Sequence, residues 1–169
     1  MSERRAVRLG WWLSSEEHDP RELVEQARLA EAVGFSTTMV SDHLQPWVRH
    51  TANAPFVWTV LGALAQATET IEVGTGVTAM VQRMNPTVVA HAAATAGVMF
   101  EGRFFLGVGT GERLNEQPFG GRWSRTGEHR EGRDLWGIHR SLGCPGFDVG
   151  CTHPDDRWRS PLCVRSSQR

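Results

Sequence analysis

The residues best placed to do chemistry lie between Arg103 and Glu116. Phe104, Phe105, Leu106 and Val108 form a short apolar run of strand-favouring types, broken by Gly107, Gly109 and Gly111 and followed by polar side chains. That is the look of a buried parallel strand where it leaves the core. Alternate glycines let a backbone approach a ligand closely. Thr110, Glu112 and Asn115 then set a hydroxyl, a carboxylate and an amide at one rim, the end of a strand where α/β proteins keep their chemistry. A plain tight turn is the other reading of such glycines. Position 112 is glutamate where the third glycine of G-x-G-x-x-G would stand, so the spacing gives no support to a nicotinamide dinucleotide. A second polar rim, Asp42-His43-Leu44-Gln45-Pro46-Trp47, follows a stretch of strand-favouring residues, Thr37 to Ser41. An Asp-His pair alone serves as a loop hydrogen bond as readily as a catalytic pair.

The elements that must carry these rims repeat along the chain. Residues 7–13 read as a first strand, 14–18 as a polar loop, and Asp19-Pro20-Arg21-Glu22 as a helix start with an N-cap, a proline at the first position and a glutamate three residues after the cap. Leu23, Ala27 and Ala30, with Val24 and Val33 half a step off, share one face, and Gly34 stops the helix. Strands are expected over 37–41, 71–75 and from 103. Helices are expected over 55–68 and from the Asn85-Pro86 cap to about 100. Strand starts recur at roughly thirty residues, the length of one strand-helix unit, which predicts right-handed crossovers, a parallel sheet and polar strand ends all on one side.

Bulk properties narrow the function. The 169 residues are 40% apolar with a net charge of −1, enough for one sizeable core and no basic field for nucleic acid or a membrane surface. The first thirteen residues do not read as a signal peptide, and no stretch nears the ~20 apolar residues that span a bilayer. Cys144, Cys151 and Cys163 are odd in number and do not form a disulfide framework, so a reducing, cytoplasmic compartment is expected. After about residue 123 the rhythm stops. The segment 124–169 is expected to be an irregular tail, with no helical stripe longer than 134–142 and no convincing strand. Cys144, Cys151, His139 and His153 fit no zinc spacing, and no metal is expected.

Several blocks in order carry a family resemblance. Ser14-Ser15-Glu16-Glu17, Pro20-Arg21-Glu22-Leu23-Val24-Glu25, Ser41-Asp42-His43 with Gln45-Pro46-Trp47, Ala54-Pro55-Phe56, Gly74-Thr75, Asn85-Pro86 with Ala92-Ala93-Ala94-Thr95, and residues 106–115 together resemble the coenzyme F420-dependent glucose-6-phosphate dehydrogenases of the bacterial-luciferase-like family. The resemblance runs from about residue 7 to 123. It implies (β/α) units of a TIM barrel, here about half of one. It also implies a deazaflavin at the carboxyl face and hydride transfer to it from a sugar phosphate such as glucose 6-phosphate. By resemblance His43 is the base that takes the hydroxyl proton, a role that suits an imidazole with an unperturbed pKa of ~6.5. Glu112 matches the acid that protonates the reduced deazaflavin, Trp47 a ring that shapes the pocket, and Glu16 a substrate contact. Asp42, Thr78, Thr110, Gly111 and Asn115 match cofactor-contact positions. Gly76-Val77 falls where the family has a bulge behind the deazaflavin; glycine at 76, often serine in relatives, eases the bend and removes a hydroxyl contact.

The resemblance ends where relatives add four more strand-helix units, and residues 127–169 read like an out-of-frame ending. Four strands cannot close a barrel with themselves. Both outer strands are expected to show unpaired backbone groups, with the barrel-interior face in water, making the chain unstable alone or self-associating, a homo-oligomer if folded. Besides an F420-dependent oxidoreductase half-barrel, two other readings stay open: a non-catalytic half-barrel that binds F420 or a partner, and a non-functional gene remnant.

Overall fold

The computed structural model describes residues 8–51, 53–80, 82–120, 147–150 and 162–166, the last two segments by their backbone course. Four strand-helix repeats come first. They are β1 (Gly10–Leu13) with α1 (Pro20–Ala32), β2 (Thr37–Val40) with α2 (Val57–Ala67), β3 (Glu72–Thr75) and β4 (Thr78–Ala79) with α3 (Pro86–Met99), and β5 (Phe104–Gly109) with the short α4 (Arg113–Glu116). A single turn of 3-10 helix, Gln117–Phe119, follows. All five strands are parallel neighbours in the order β1-β2-β3-β5, with β4 also on β5. The α/β class and parallel sheet expected from the thirty-residue rhythm are present.

Local sequence explains the helix starts. Asp19 accepts hydrogen bonds from the Arg21 and Glu22 amides while Glu22 accepts from the Asp19 amide at 2.9 Å, a complete capping box. Asn85 accepts from the Thr87 amide ahead of Pro86. Leu23, Ala27 and Ala30 are buried as the stripe predicts, and Gly34 ends the chain's helical course at φ +92°. Val33 departs from the expected face: it lies just past the last helical residue and is 64% exposed.

Alternation sorts the sheet into two faces. Leu13, Val40, Val73, Phe104, Leu106 and Val108 join Leu23, Leu61, Leu64, Val89 and Ala93 in one core under the helices. Trp11 also faces the helical layer, where its indole donates to Gln26 and its ring meets Phe35 edge-on. Trp12, Met39, Gly74, Phe105, Gly107 and Gly109 therefore lie on the opposite face. Trp12 is 48% and Met39 37% exposed there, so that face is open to solvent as expected.

Two features shape the sheet's ends. At the amino end, the α2–β3 turn is held from both sides. Glu31 accepts from the Glu69, Thr70 and Ile71 amides and the Thr70 hydroxyl, while Arg103 donates to the Thr68 and Ile71 carbonyls and the Thr68 hydroxyl. At the carboxyl end, β3 and β4 are one strand interrupted at Gly76 and Val77, which are joined by a cis peptide bond. Gly74 pairs with Phe105 and Thr78 with Val108, so the interrupted strand carries one residue more than β5 over the same span, the definition of a bulge.

The tail differs from expectation. Residues 147–150 and 162–166 form β6 (Phe147–Gly150) and β7 (Leu162–Ser166), an antiparallel pair, and β7 lies antiparallel on β5, with Leu106 opposite Val164. The expectation of no strand after 123 is corrected, as is that of an unpaired β5 edge. Unpaired amides and carbonyls of an edge strand template a further strand, a non-local effect that overrides weak local propensity. The 134–142 stripe and Cys144, Cys151, His139 and His153 lie outside the described residues. Among the described residues no three His, Cys, Asp or Glu side chains are grouped to hold a metal, and no helix is long and apolar enough to cross a membrane.

Candidate active site

The loops after β1, β2, β4 and β5 converge beyond the carboxyl ends of the strands. The β1 loop brings Glu16 and the β2 loop brings His43 and Trp47. Glu16 Oε1 contacts His43 Nδ1, and Glu16 Oε2 accepts the Trp47 backbone amide at 2.9 Å. One carboxylate thus fixes both the imidazole and the loop that carries the indole. The His43 and Trp47 rings stack, 5.6 Å between centroids and 22° between planes. The Trp47 indole N–H donates to Glu112 Oε1 at 2.7 Å, and His43 Nε2 lies 3.9 Å from the same oxygen. His43, Glu16 and Glu112 keep 19%, 13% and 36% of their side-chain surface exposed, so the cluster is recessed but reachable from solvent.

Asn115 ties this cluster to β5. Its Oδ1 accepts the Leu44 and Gln45 amides, each at 2.7 Å, and its amide nitrogen donates to Glu112 Oε1. Two hydrogen bonds therefore fall on Glu112 Oε1. Asn115 is 3% exposed, its amide engaged inside the protein.

A second, buried layer lies behind. Asp42 Oδ2 accepts the Thr78 hydroxyl at 2.8 Å, and Asp42 Oδ1 contacts Arg83 Nη2. The Asp42 and Arg83 side chains are 1% and 6% exposed, a desolvated ion pair. Glu116 Oε2 accepts the Gln82 and Arg83 amides at 3.1 and 3.0 Å. Ser15 and Ser41 join the first two loops, the Ser15 hydroxyl donating to the Ser41 carbonyl at 2.8 Å.

The floor between the layers is closely packed. Val77 covers Gly107 and Gly109, where an added Cβ would come within 3.2 and 2.5 Å of its methyls. Gly76 sits under the Trp12 ring, 2.7 Å from where its Cβ would be, so serine at 76 requires Trp12 to move. Gly111, at φ +75°, would set a Cβ 2.7 Å from Glu116 and 2.9 Å from Ala79.

Of the residues singled out from the sequence, Glu16, His43, Trp47, Glu112 and Asn115 come together in one network, and Asp42 and Thr78 in the layer behind it. Gly76, Val77 and Gly111 shape the floor and its edge. Thr110 stands exposed at the rim, outside both networks. Arg83 and Glu116 were not read from the sequence. Glu116 follows Glu112 by one helical turn, a spacing that marks a shared side of α4; nothing local marks Arg83.

A parallel α/β sheet whose strand-end loops gather an acid-base cluster is the architecture of barrel-type enzymes. Residues 6–136 match the family model of the luciferase-like monooxygenases, and the chain belongs to that family. The match passes the boundary expected at 123. The chain is 46% identical over 114 residues to an F420-dependent glucose-6-phosphate dehydrogenase of Segniliparus rotundus, covering 68% of this chain and 34% of that protein. It is 43% identical over 162 residues to F420-dependent glucose-6-phosphate dehydrogenase 1 of Rhodococcus jostii, covering 85% and 48%. Among solved structures, an F420-dependent secondary alcohol dehydrogenase bound to an F420–acetone adduct superposes with a TM-score of 0.76 at 28% identity, covering 94% of this chain and 47% of that one. The chain thus spans less than half the length of each of these relatives.

Proposed function

We propose that this chain carries the proton-handling half of the site of an F420-dependent dehydrogenase acting on the CH–OH group of a sugar phosphate such as glucose 6-phosphate. The observation that carries this reading is the Glu16-His43-Trp47-Glu112 cluster at the carboxyl strand ends, its imidazole recessed beside the exposed Trp47 ring. The relatives' names, which specify F420 and glucose 6-phosphate, support it.

The residues present fit a planar deazaflavin. Val77, packed over Gly107 and Gly109, makes an apolar wall beside which a ring can lie, and proton-exchanging groups stand at its rim. Bound there, F420 supplies a hydride acceptor. With Nδ1–H turned to Glu16, His43 presents the lone pair of Nε2 and accepts the substrate hydroxyl proton as the C–H bond gives up its hydride. Glu16 fixes that tautomer and stabilises the imidazolium that results. Glu112, with its two hydrogen bonds on Oε1, has Oε2 to carry and release a proton. The Trp47 ring excludes water from the imidazole face it covers.

The test is titration of the purified chain with F420, followed by absorbance and fluorescence as glucose 6-phosphate is added. The expected result is binding and loss of the oxidised deazaflavin signal, slowed about 10²–10⁴-fold in His43→Ala. Binding without reduction by any sugar phosphate would refute catalysis. It would favour a non-catalytic F420-binding or partner-binding half-barrel, a reading that the open face around Trp12 and Met39 supports.

A further inference from the structure

We infer that α4 is the clasp that assembles the site, with Asn115 and Glu116 as its two positioning residues. The two are adjacent in sequence, and each accepts a pair of consecutive backbone amides from a different loop. Asn115 Oδ1 takes Leu44 and Gln45, in the loop that carries His43 and Trp47. Glu116 Oε2 takes Gln82 and Arg83, in the loop that leads from β4 into α3. These contacts bridge 71, 70, 34 and 33 residues of sequence, so nothing local to either loop replaces them.

The burial of the two side chains gives the clasp its force. Asn115 is 3% and Glu116 1% exposed. Removing either acceptor leaves two backbone donors without a partner, the costly case for a hydrogen bond. The clasp also reaches the second layer, because the amide that Glu116 holds belongs to Arg83, whose guanidinium meets Asp42. Gly111 permits the close approach: a Cβ at its position would strike the Glu116 side chain. Asn115 has a further task, since its nitrogen donates to Glu112. The acid proposed above and the loop bearing the proposed base are thereby fixed to one amide group.

This role deepens the dehydrogenase reading and rests on it for its functional meaning, but its geometry is testable without turnover. Amide hydrogen exchange of the full chain, resolved by residue, separates the two arms. Asn115→Ala should speed exchange at Leu44 and Gln45 several-fold, up to about tenfold, the range that one net hydrogen bond sets, with Gln82 and Arg83 unchanged. Glu116→Ala should do the reverse. Asn115→Asp keeps the acceptor and loses the donor, so it should restore slow exchange at Leu44 and Gln45 while displacing the Trp47 indole proton resonance through Glu112.

Unchanged exchange at Leu44 and Gln45 in Asn115→Ala would overturn the clasp. So would a uniform rise across the chain, or failure of Asn115→Asp to restore protection. If the alanine variants do not fold, Asn115→Asp and Glu116→Gln decide it, because both retain an acceptor oxygen and must keep all four amides slow. F420 titration of the same proteins is read separately. An absence of F420 binding by the unaltered chain would sink the dehydrogenase reading and leave the exchange result standing.

Discussion

Replacing Glu31 should reveal how much of the fold hangs on the turn before β3. Burial acts to raise its carboxyl pKa, but bonds from the Thr70, Ile71 and Glu69 amides and the Thr70 hydroxyl outweigh it and bring the value from 4.5 down to about 2. The folded value lies below the unfolded one, so the stabilisation is fully present above pH 4.5 and disappears as pH falls toward 2. Unscreened linkage at ~1.4 kcal/mol per unit gives an upper bound of about 3.5 kcal/mol, and solvent around this partly exposed group reduces it to about 1–2 kcal/mol. Urea unfolding of the chain and of Glu31→Gln at pH 7, 5, 3 and 2 measures it. At pH 7 the variant should be less stable by that amount, a drop of roughly 2–4 °C in Tm per kcal/mol for a chain of this size. The difference should shrink below pH 4.5 and vanish near pH 2. A gap that stays constant across the series would show that Glu31 acts through shape and neutral hydrogen bonding, and would refute the charge argument.

Other perturbations reach the core and the buried layer. Arg83→Met leaves Asp42 in place with only the Thr78 hydroxyl, and should cost about 3–5 kcal/mol in denaturant unfolding, whereas Arg83→Met with Asp42→Leu should recover most of that. A double variant no more stable than the single one would show that the charges are not the reason. Gly107→Ala drives a Cβ to 2.1 Å from the Thr75 carbonyl oxygen and should unfold the sheet or cost several kcal/mol. Gly62→Ala, inside α2 with only the Met99 methyl at 3.9 Å, should instead stabilise by about 0.5–1 kcal/mol in the same assay.

Much of the scaffold is legible in the residues because its signals are local. Asp19, Pro20 and Glu22 carry a helix-start signal within four residues, and the structure contains the full capping box. The thirty-residue rhythm likewise needs no tertiary knowledge to imply a parallel sheet. Val33 fails because a stripe says nothing about where the helix stops, and one residue past the end the side chain turns to solvent. The strands of the tail fail for the opposite reason. Leu162–Ser166 pairs through backbone groups that β5 offers, and that partner lies far off in sequence. In the site, the rim groups Glu112 and Asn115 stand out as polar residues after a glycine-broken strand, but which of them stays partly exposed and which is buried depends on the loop that arrives from residues 44 and 45. Arg83 is invisible for the same reason, since its partner is in a different strand-end loop.

The extra residue between β3 and β4 acts as a frame shift for side chains. Along an uninterrupted strand Thr78 would share the face of Gly74, the open one. With one residue inserted it pairs with Val108 instead and turns beneath the rim to Asp42, while Ala79 pairs with Gly109 on the open face. Everything carboxyl-terminal to the bulge is thus read in the second of two possible alternations. Removing that one residue would straighten the strand and still leave Thr78 opposite Val108, so the extra residue sets how the chain reaches the rim and the pairing beyond it sets which face each side chain takes.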